Sequence, residues 1–195
     1  MDLETPRLHV RDLVPDDLDA VHTLLDTDLS MDDRTRPDRA RWLEWMILGY
    51  EQHRRLHQPP YGEYGIVLRS TGDLIGLAGL VPAMMPFGLL PSYADVSGRR
   101  SHNVPEMGLF WAVATAHQRN GYAAEAGAAL VDFAFTQWHL RRIIATTEHT
   151  NAASIGVMRR IGMRIDRNPS PAPFFLQVVG IIDNPGGEPD WPTNP

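Results

Sequence analysis

The segment from Val104 to Thr146 leaves this chain few ways to fold. Val104 to about Val113 is apolar apart from Glu106, the composition of a strand buried on both faces. Tyr122 to Trp138 is rich in alanine and places Ala126, Leu130, Phe133 and Ala134 on one helical face; Arg142-Ile143-Ile144-Ala145-Thr146 reads as the next strand. Strand, helix and strand in that order form a right-handed crossover. The two strands are then parallel, and the intervening turn lies at the carboxyl end of the first. That turn reads Gln118-Arg119-Asn120-Gly121-Tyr122-Ala123-Ala124-Glu125. A helix start has main-chain N–H groups without partners and partial positive charge, so a turn feeding it can hold a phosphate oxygen with backbone donors alone. Gly121 can take positive φ, and the small residues after it leave the helix start uncrowded. An ordinary β-to-α connection answers the same description, so the turn by itself does not name a ligand.

The flanking sequence supplies the rest of a single α+β domain over 1–183. Arg7 to Arg11 alternates as a first strand, Pro15-Asp16-Asp17 opens a helix, and Pro37 to about His57 is a second helix with Trp42, Trp45, Met46 and Tyr50 on one stripe. Gly65–Arg69 and Leu74–Leu80 form a hairpin. From Val81 to about Asn103 no period holds, which predicts a long loop; its part from Val81 to Arg99, whose Met84, Met85, Phe87 and Leu89 suggest an apolar cover, would with residues 31–62 wall a pocket. Asn151 is placed to cap a short helix through Ser154, Val157, Met158 and Ile161 that ends at Gly162. Met163–Ile165 and Phe174–Ile182 read as the last strands, and 184–195 as a loose, proline-rich tail.

Composition removes several classes of function. The chain has no cysteine, which excludes disulfides, thiolate metal sites and a cysteine nucleophile. Its formal net charge is −6, from 18 basic and 24 acidic residues, with no basic stripe, so nucleic acid is not an expected partner. The uncharged stretch Leu74–Ala94 is interrupted by Pro82, Pro86 and Pro91 and cannot form one membrane helix; the acidic N-terminus lacks a signal-peptide pattern. A cytoplasmic protein without membrane partner is the expectation. His53 and His57 stand four apart, but no glutamate lies between them and no third ligand is evident, so no metal is expected. His117 and His149 flank the two motif regions, with water-facing positions the simpler placement. A homodimer is compatible with the chain, and nothing in the sequence selects it.

Four features together resemble the GNAT superfamily of acetyl-CoA-dependent N-acetyltransferases, in particular its RimJ/RimL-like branch. They are Thr5-Pro6-Arg7-Leu8 leading to Arg11, Gln118-x-x-Gly121-x-Ala123 with Glu125, Asn151-x-x-Ser154, and Ile161-Gly162-Met163. The resemblance implies a three-layer fold, a central mixed β-sheet splayed near its middle and flanked by helices. It implies acetyl-CoA as co-substrate, with the main chain of Gln118, Arg119, Asn120, Gly121, Tyr122 and Ala123 on the pyrophosphate. Trp111, Ala112 and Val113 would align the pantetheine and thioester, Asn151 would hold the pantetheine arm, and Ser154 would stand near the sulfur and protonate the leaving thiolate. Ala123 and Ala124 replace a frequent glycine and a common threonine, leaving phosphate binding to the backbone.

The chemistry asks for few groups: a base for the ammonium of the acceptor, a donor for the charge developing on the carbonyl oxygen, and an acid for the thiolate. Glu106, the only acid within the buried strand, is the candidate base, directly or through a water. It lies about two residues further upstream of the turn than this branch's usual strand acid, and pairing with an arginine across the sheet is its alternative role. The acceptor would be a peptide N-terminus or a small amine. The rival readings are a CoA-binding module without catalysis and a nucleotide-binding enzyme; the latter lacks both G-x-G-x-x-G and a lysine-serine pair after the glycines.

Overall fold

The computed structural model describes residues 1–93 and 102–186. One eight-stranded mixed sheet organises them, in the order β1-β2-β3-β4-β5-β6-β8-β7. The strands are β1 (Asp2–Glu4), β2 (Leu8–Arg11), β3 (Gly62–Leu68), β4 (Leu74–Met85), β5 (Val104–Val113), β6 (Arg142–Thr147), β7 (Arg164–Arg167) and β8 (Val178–Asp183). The helices are α1 (Leu18–His22), α2 (Arg36–Arg55), α3 (Tyr122–Thr136) and α4 (Ala152–Ile161). A 3-10 turn over Pro15–Asp17 leads into α1, and a π-helical stretch over Thr23–Asp28 follows it.

The predicted crossover is present: β5 and β6 are parallel, joined through α3. Their pairing is unequal to that of their neighbours. β5 pairs with β4 along its whole length, from Met85↔Val104 to Gly76↔Val113, whereas β5 and β6 meet in register only at Gly108↔Ile144. Beyond that point the sheet splays, with α3 entered from the end of β5 and α4 from the end of β6. Packing sets the two sides: Leu109 lies against α3, where a Cβ on Gly127 would come 3.5 Å from its Cδ2, while Gly108 on the other face approaches Ala83 and Ile144. The main core joins all four helices to the sheet, and Leu130, Ala126, Ile143 and Met158 within it are completely buried.

Several boundaries differ from the sequence reading, each for a local reason. The expected loop after Leu80 begins as strand, because β4 continues through Met85 opposite the start of β5. Pro82 does not interrupt it: Pro82 lies opposite Met107 at a position whose N–H would point away from β5, beyond the last β3 pair at Gly62↔Leu80, so no ladder bond is lost. Phe87–Leu89 and Pro91–Tyr93 then form 3-10 turns. Phe87, Leu90 and Tyr93 are buried in a second, smaller core with Ile144, Leu176 and Val179, so Phe87 is an interior residue rather than part of a cover; Met84 is exposed. The remainder of that loop, 94–101, lies outside the described residues. The acidic N-terminus forms an unexpected edge strand, β1, in register with β2. The last strand starts later than expected, at Val178, and inserts between β6 and β7. Asn184 is anchored, its Nδ2 donating to Phe135 O and Leu140 O, and the rest of the expected tail, from residue 187, lies outside the described residues.

Candidate functional site

At the start of α3 the main chain twice enters the left-handed region, at Arg119 (φ 62°) and Gly121 (φ 83°). The first bond back into the turn is Glu125 N–H to Gly121 O at 3.0 Å, and no side chain caps the helix. Among the described residues, the N–H groups of Arg119 through Ala124 accordingly meet no protein acceptor. Six donors in succession, two left-handed residues and a helix dipole are the chemistry that suits a turn to an anion. Two guanidinium groups border it: a Cβ on Gly121 would lie 3.3 Å from Arg160 Nη1 and 3.6 Å from Arg7 Nη2.

Side chains hold this turn from behind. Gln118 donates through Nε2 to Val113 O at 3.0 Å, and Asn120 Nδ2 donates to His117 O and Gln118 O. The Thr5-Pro6-Arg7-Leu8 segment acts here: Thr5 Oγ1, Arg7 N–H and Arg7 Nε all donate to the Glu125 carboxylate at 2.6, 3.0 and 2.6 Å. Burial opposes ionisation of Glu125, but these donors outweigh it and hold the carboxyl below its usual range. Arg7 also donates to Asn120 O and lies 4.5 Å over the Tyr122 ring. From the other side, Asp28 accepts the Thr115 N–H at 2.7 Å, tying the connection between α1 and α2 to the end of β5.

The splay adds two further donors. Ala114 N–H bonds Ile75 O of β4, which fixes the antiparallel alternation and turns the N–H groups of Trp111 and Val113 toward the gap where β6 no longer pairs. Parallel strands bring the second motif to the same end of the sheet. Asn151 caps α4, its Oδ1 accepting the Ser154 N–H at 2.9 Å, so its carboxamide nitrogen is the half left for other partners. Ser154 lies in the first turn of α4 and its hydroxyl has no hydrogen bond among the described residues. The sequence-predicted cofactor residues 111–113, 118–123, Asn151 and Ser154 thus lie toward the carboxyl ends of the parallel strands β5 and β6.

Glu106 stands apart from them, seven positions upstream of Val113, roughly 23 Å along the strand. It is ion-paired across the sheet with Arg142 at 3.5 Å, with side chains 9% and 14% exposed. Arg142 also donates to Asp183 at 2.7 Å and lies over the Tyr93 ring; burial and then the neighbouring Glu106 push the Tyr93 phenol up. A second acid, which the sequence reading passed over, is Glu63 at the start of β3. Burial pushes its carboxyl up to about 7. Sequence reading started that strand at Gly65 and so left Glu63 in a loop; the signal available was an acid between Gly62 and Tyr64 in an otherwise apolar run.

A mixed sheet that splays beside β5, with a turn of main-chain donors at one lip, is the architecture that the family resemblance implies. The family model described as an acetyltransferase (GNAT) domain matches residues 7–164, and the chain belongs to that family. That places it in a family of acetyltransferases. Bacillus subtilis YnaD, an uncharacterised N-acetyltransferase, is 43% identical over 54 residues; the match covers 28% of this chain and 32% of that protein, so this chain spans about a third of its relative's length. Among solved structures, the ribosomal-protein-S5-alanine acetyltransferase of Vibrio fischeri superposes with a TM-score of 0.67 at 14% identity, covering 97% of this chain and all of that one. Mycobacterium smegmatis RimJ in complex with CoA-disulfide superposes with a TM-score of 0.59 at 16% identity, covering 90% of this chain and 81% of that one. Both share the fold. No described helix is long and apolar enough to cross a membrane.

Proposed function

We propose that the protein transfers the acetyl group of acetyl-CoA directly to a primary amine, on a peptide N-terminus or a small molecule. The observation that carries this reading is the run of unpartnered N–H groups from Arg119 to Ala124, flanked by Arg7 and Arg160. A diphosphate fits donors of that number and charge, and the match to the RimJ fold seen with a CoA-disulfide supports the same ligand class. When bound, acetyl-CoA supplies the acetyl group as an activated thioester.

The chain's own residues do the rest. Residues 118–123 hold the phosphates, the Trp111 and Val113 N–H groups line the gap in which the pantetheine arm and thioester carbonyl would lie, and the Asn151 carboxamide binds the arm. Preformed donors at a developing oxyanion lower the barrier because they need no reorganisation. The Ser154 hydroxyl, without a hydrogen bond among the described residues, protonates the departing thiolate. Of the two roles open to Glu106, its contact with Arg142 supports the paired one. Holding the amine against the thioester supplies much of the rate.

Calorimetric titration with acetyl-CoA, on wild type and Gly121→Val, tests the reading. Binding by wild type and loss of at least tenfold in affinity by a folded Gly121→Val protein is expected. Equal affinity would remove the cradle. Binding without turnover on any amine would instead favour a cofactor-sensing module.

A further inference from the structure

Glu63 is an interior acid that the reading above leaves unexplained. Among the described residues its carboxylate makes no hydrogen bond and no ion pair, although its backbone is fixed, with Glu63 O accepting the Tyr50 hydroxyl. It lies within electrostatic reach of Arg39 on α2 and of Asp32 and Arg34 in the connection before it. Arg39 is committed elsewhere. It is completely buried, bonded to Asp26 at 2.7 and 2.8 Å and to Asp32 at 3.1 Å, and its Nη1 is left without a partner. A carboxylate and a buried guanidinium N–H that stop short of each other, in a region with strong charges of both signs, are not a structural ion pair.

Register places Glu63 relative to the splay. It is the cross-strand partner of Gly79, which is the partner of Phe110, so the three form one row with side chains on one face of the sheet. Phe110 stands two residues past the last β5–β6 contact at Gly108, at the mouth of the gap. Its neighbour Leu109 faces α3, so by alternation the Phe110 row faces the opposite side. Gly79, between the two, contributes no side chain; a Cβ there would meet Gly62 O at 2.4 Å. The cofactor cradle lies at the start of α3. The acceptor side is then the opposite face, on which Glu63 projects across Gly79 toward Phe110 at the edge of the gap, with β5 two strand spacings or about 10 Å away.

We propose that Glu63 is the acid–base residue of the acceptor side: it binds the ammonium of the incoming amine and takes one of its protons. This rests on the acetyl-transfer reading above. The ammonium gives one proton to the Glu63 carboxylate, the freed nitrogen lone pair forms the C–N bond as the C–S bond breaks, and the nitrogen's second proton balances the one that Ser154 gives to the thiolate. Glu63 releases its proton to water, and the products are an amide, CoA thiol and one proton.

The test uses wild type, Glu63→Gln and Glu63→Asp, with spermidine, tyramine and an alanine-initiated tripeptide as amines between pH 6 and 9. For the best of these amines, kcat/KM falls at least 100-fold in Glu63→Gln and less in Glu63→Asp, and the activity limb rising near pH 7 disappears from the glutamine variant. Acetyl-CoA affinity, measured by calorimetry, stays within threefold of wild type. Independently of turnover, the 13C resonance of the Glu63 carboxyl shifts when that amine is added to cofactor-free protein. Turnover by Glu63→Gln within threefold of wild type, with the same pH profile, overturns the assignment, and so does a parallel loss of acetyl-CoA binding, which would mark Glu63 as structural. Wild type that binds acetyl-CoA and acetylates none of the amines refutes the transfer reading itself, and Glu63's role falls with it.

Discussion

The lip at the start of α3 and the face of the sheet that carries Glu63 and Glu106 differ in the kind of group they present. At the lip, from Gln118 to Ala124, the groups offered to a ligand are main-chain N–H donors, and the side chains of Gln118, Asn120, Arg7 and Glu125 serve to hold the turn. On the face that carries Glu63 and Glu106, proposed to receive the acceptor, the groups at issue are side chains, and their roles depend on what each one meets. Glu106 meets Arg142 and is satisfied, while Glu63, equally interior, meets no partner among the described residues. A backbone cradle is a property of local conformation; an acid's role is a property of tertiary neighbours.

Four variants bear on that contrast. The largest effect is expected from Glu63→Gln on stability. The folded state holds the Glu63 proton to about pH 7, whereas an unfolded glutamate releases it near the ordinary carboxylate value, so the folded chain binds the extra proton between those limits. Wild-type stability therefore falls as pH rises through about 4.5 to 7, and Glu63→Gln, which has no proton to lose, escapes that loss by up to about 3 kcal/mol. Urea melts of both proteins at pH 5 and pH 8 check it: an unchanging difference between the two pH values would show that Glu63 titrates normally.

Next in size is Gly121→Val. A β-branched side chain at a φ of 83° costs about 1–2 kcal/mol and crowds Arg160, with the expected fall of tenfold or more in acetyl-CoA affinity. Ser154→Ala comes third, lowering kcat by roughly tenfold with cofactor affinity unchanged, since the hydroxyl's proposed work is confined to the leaving group. Comparison of kcat for thioesters of better and poorer leaving thiols sharpens it, because the defect should shrink as the thiol becomes more acidic. Smallest is Glu106→Gln, which removes one of Arg142's two carboxylates and leaves Asp183, for a loss of about 1 kcal/mol in thermal stability and no change in acetyl-CoA affinity. A hundredfold fall in turnover from that variant alone would return the base to Glu106 and reverse the comparison.

The lip was legible in the sequence because its determinants are local. Gly121 before an alanine-rich helix, Asn151 three residues before Ser154, and an unbroken apolar strand fix conformation within a few residues of themselves. The splay itself was available only through resemblance, since it consists of pairing that fails beyond Gly108, and no residue type encodes a missing ladder. Met84, Phe87 and Tyr93 were misplaced or left unassigned for a related reason. An apolar run broken by prolines looks like a loop until β5 is seen to pair with its first half and the second core to take up the rest. Thr5 and Arg7 carried a family signature without a reason, which the contact with Glu125, more than a hundred residues away, supplies. The run around Glu63 marks it as an acid among apolar residues, but its place in one row with Gly79 and Phe110 is a matter of cross-strand register that the sequence does not carry.

The central claim is that main-chain N–H groups of residues 119–124 receive the cofactor's phosphates. Amide 15N–1H spectra of the labelled protein, titrated with acetyl-CoA and separately with acetyl-pantetheine, which lacks the diphosphate, examine those groups one at a time. Large shifts at Arg119 through Ala124 with acetyl-CoA and none there with acetyl-pantetheine are expected, while Trp111 and Val113 respond to both. Amides at 119–124 that stay in place when acetyl-CoA binds would contradict the account.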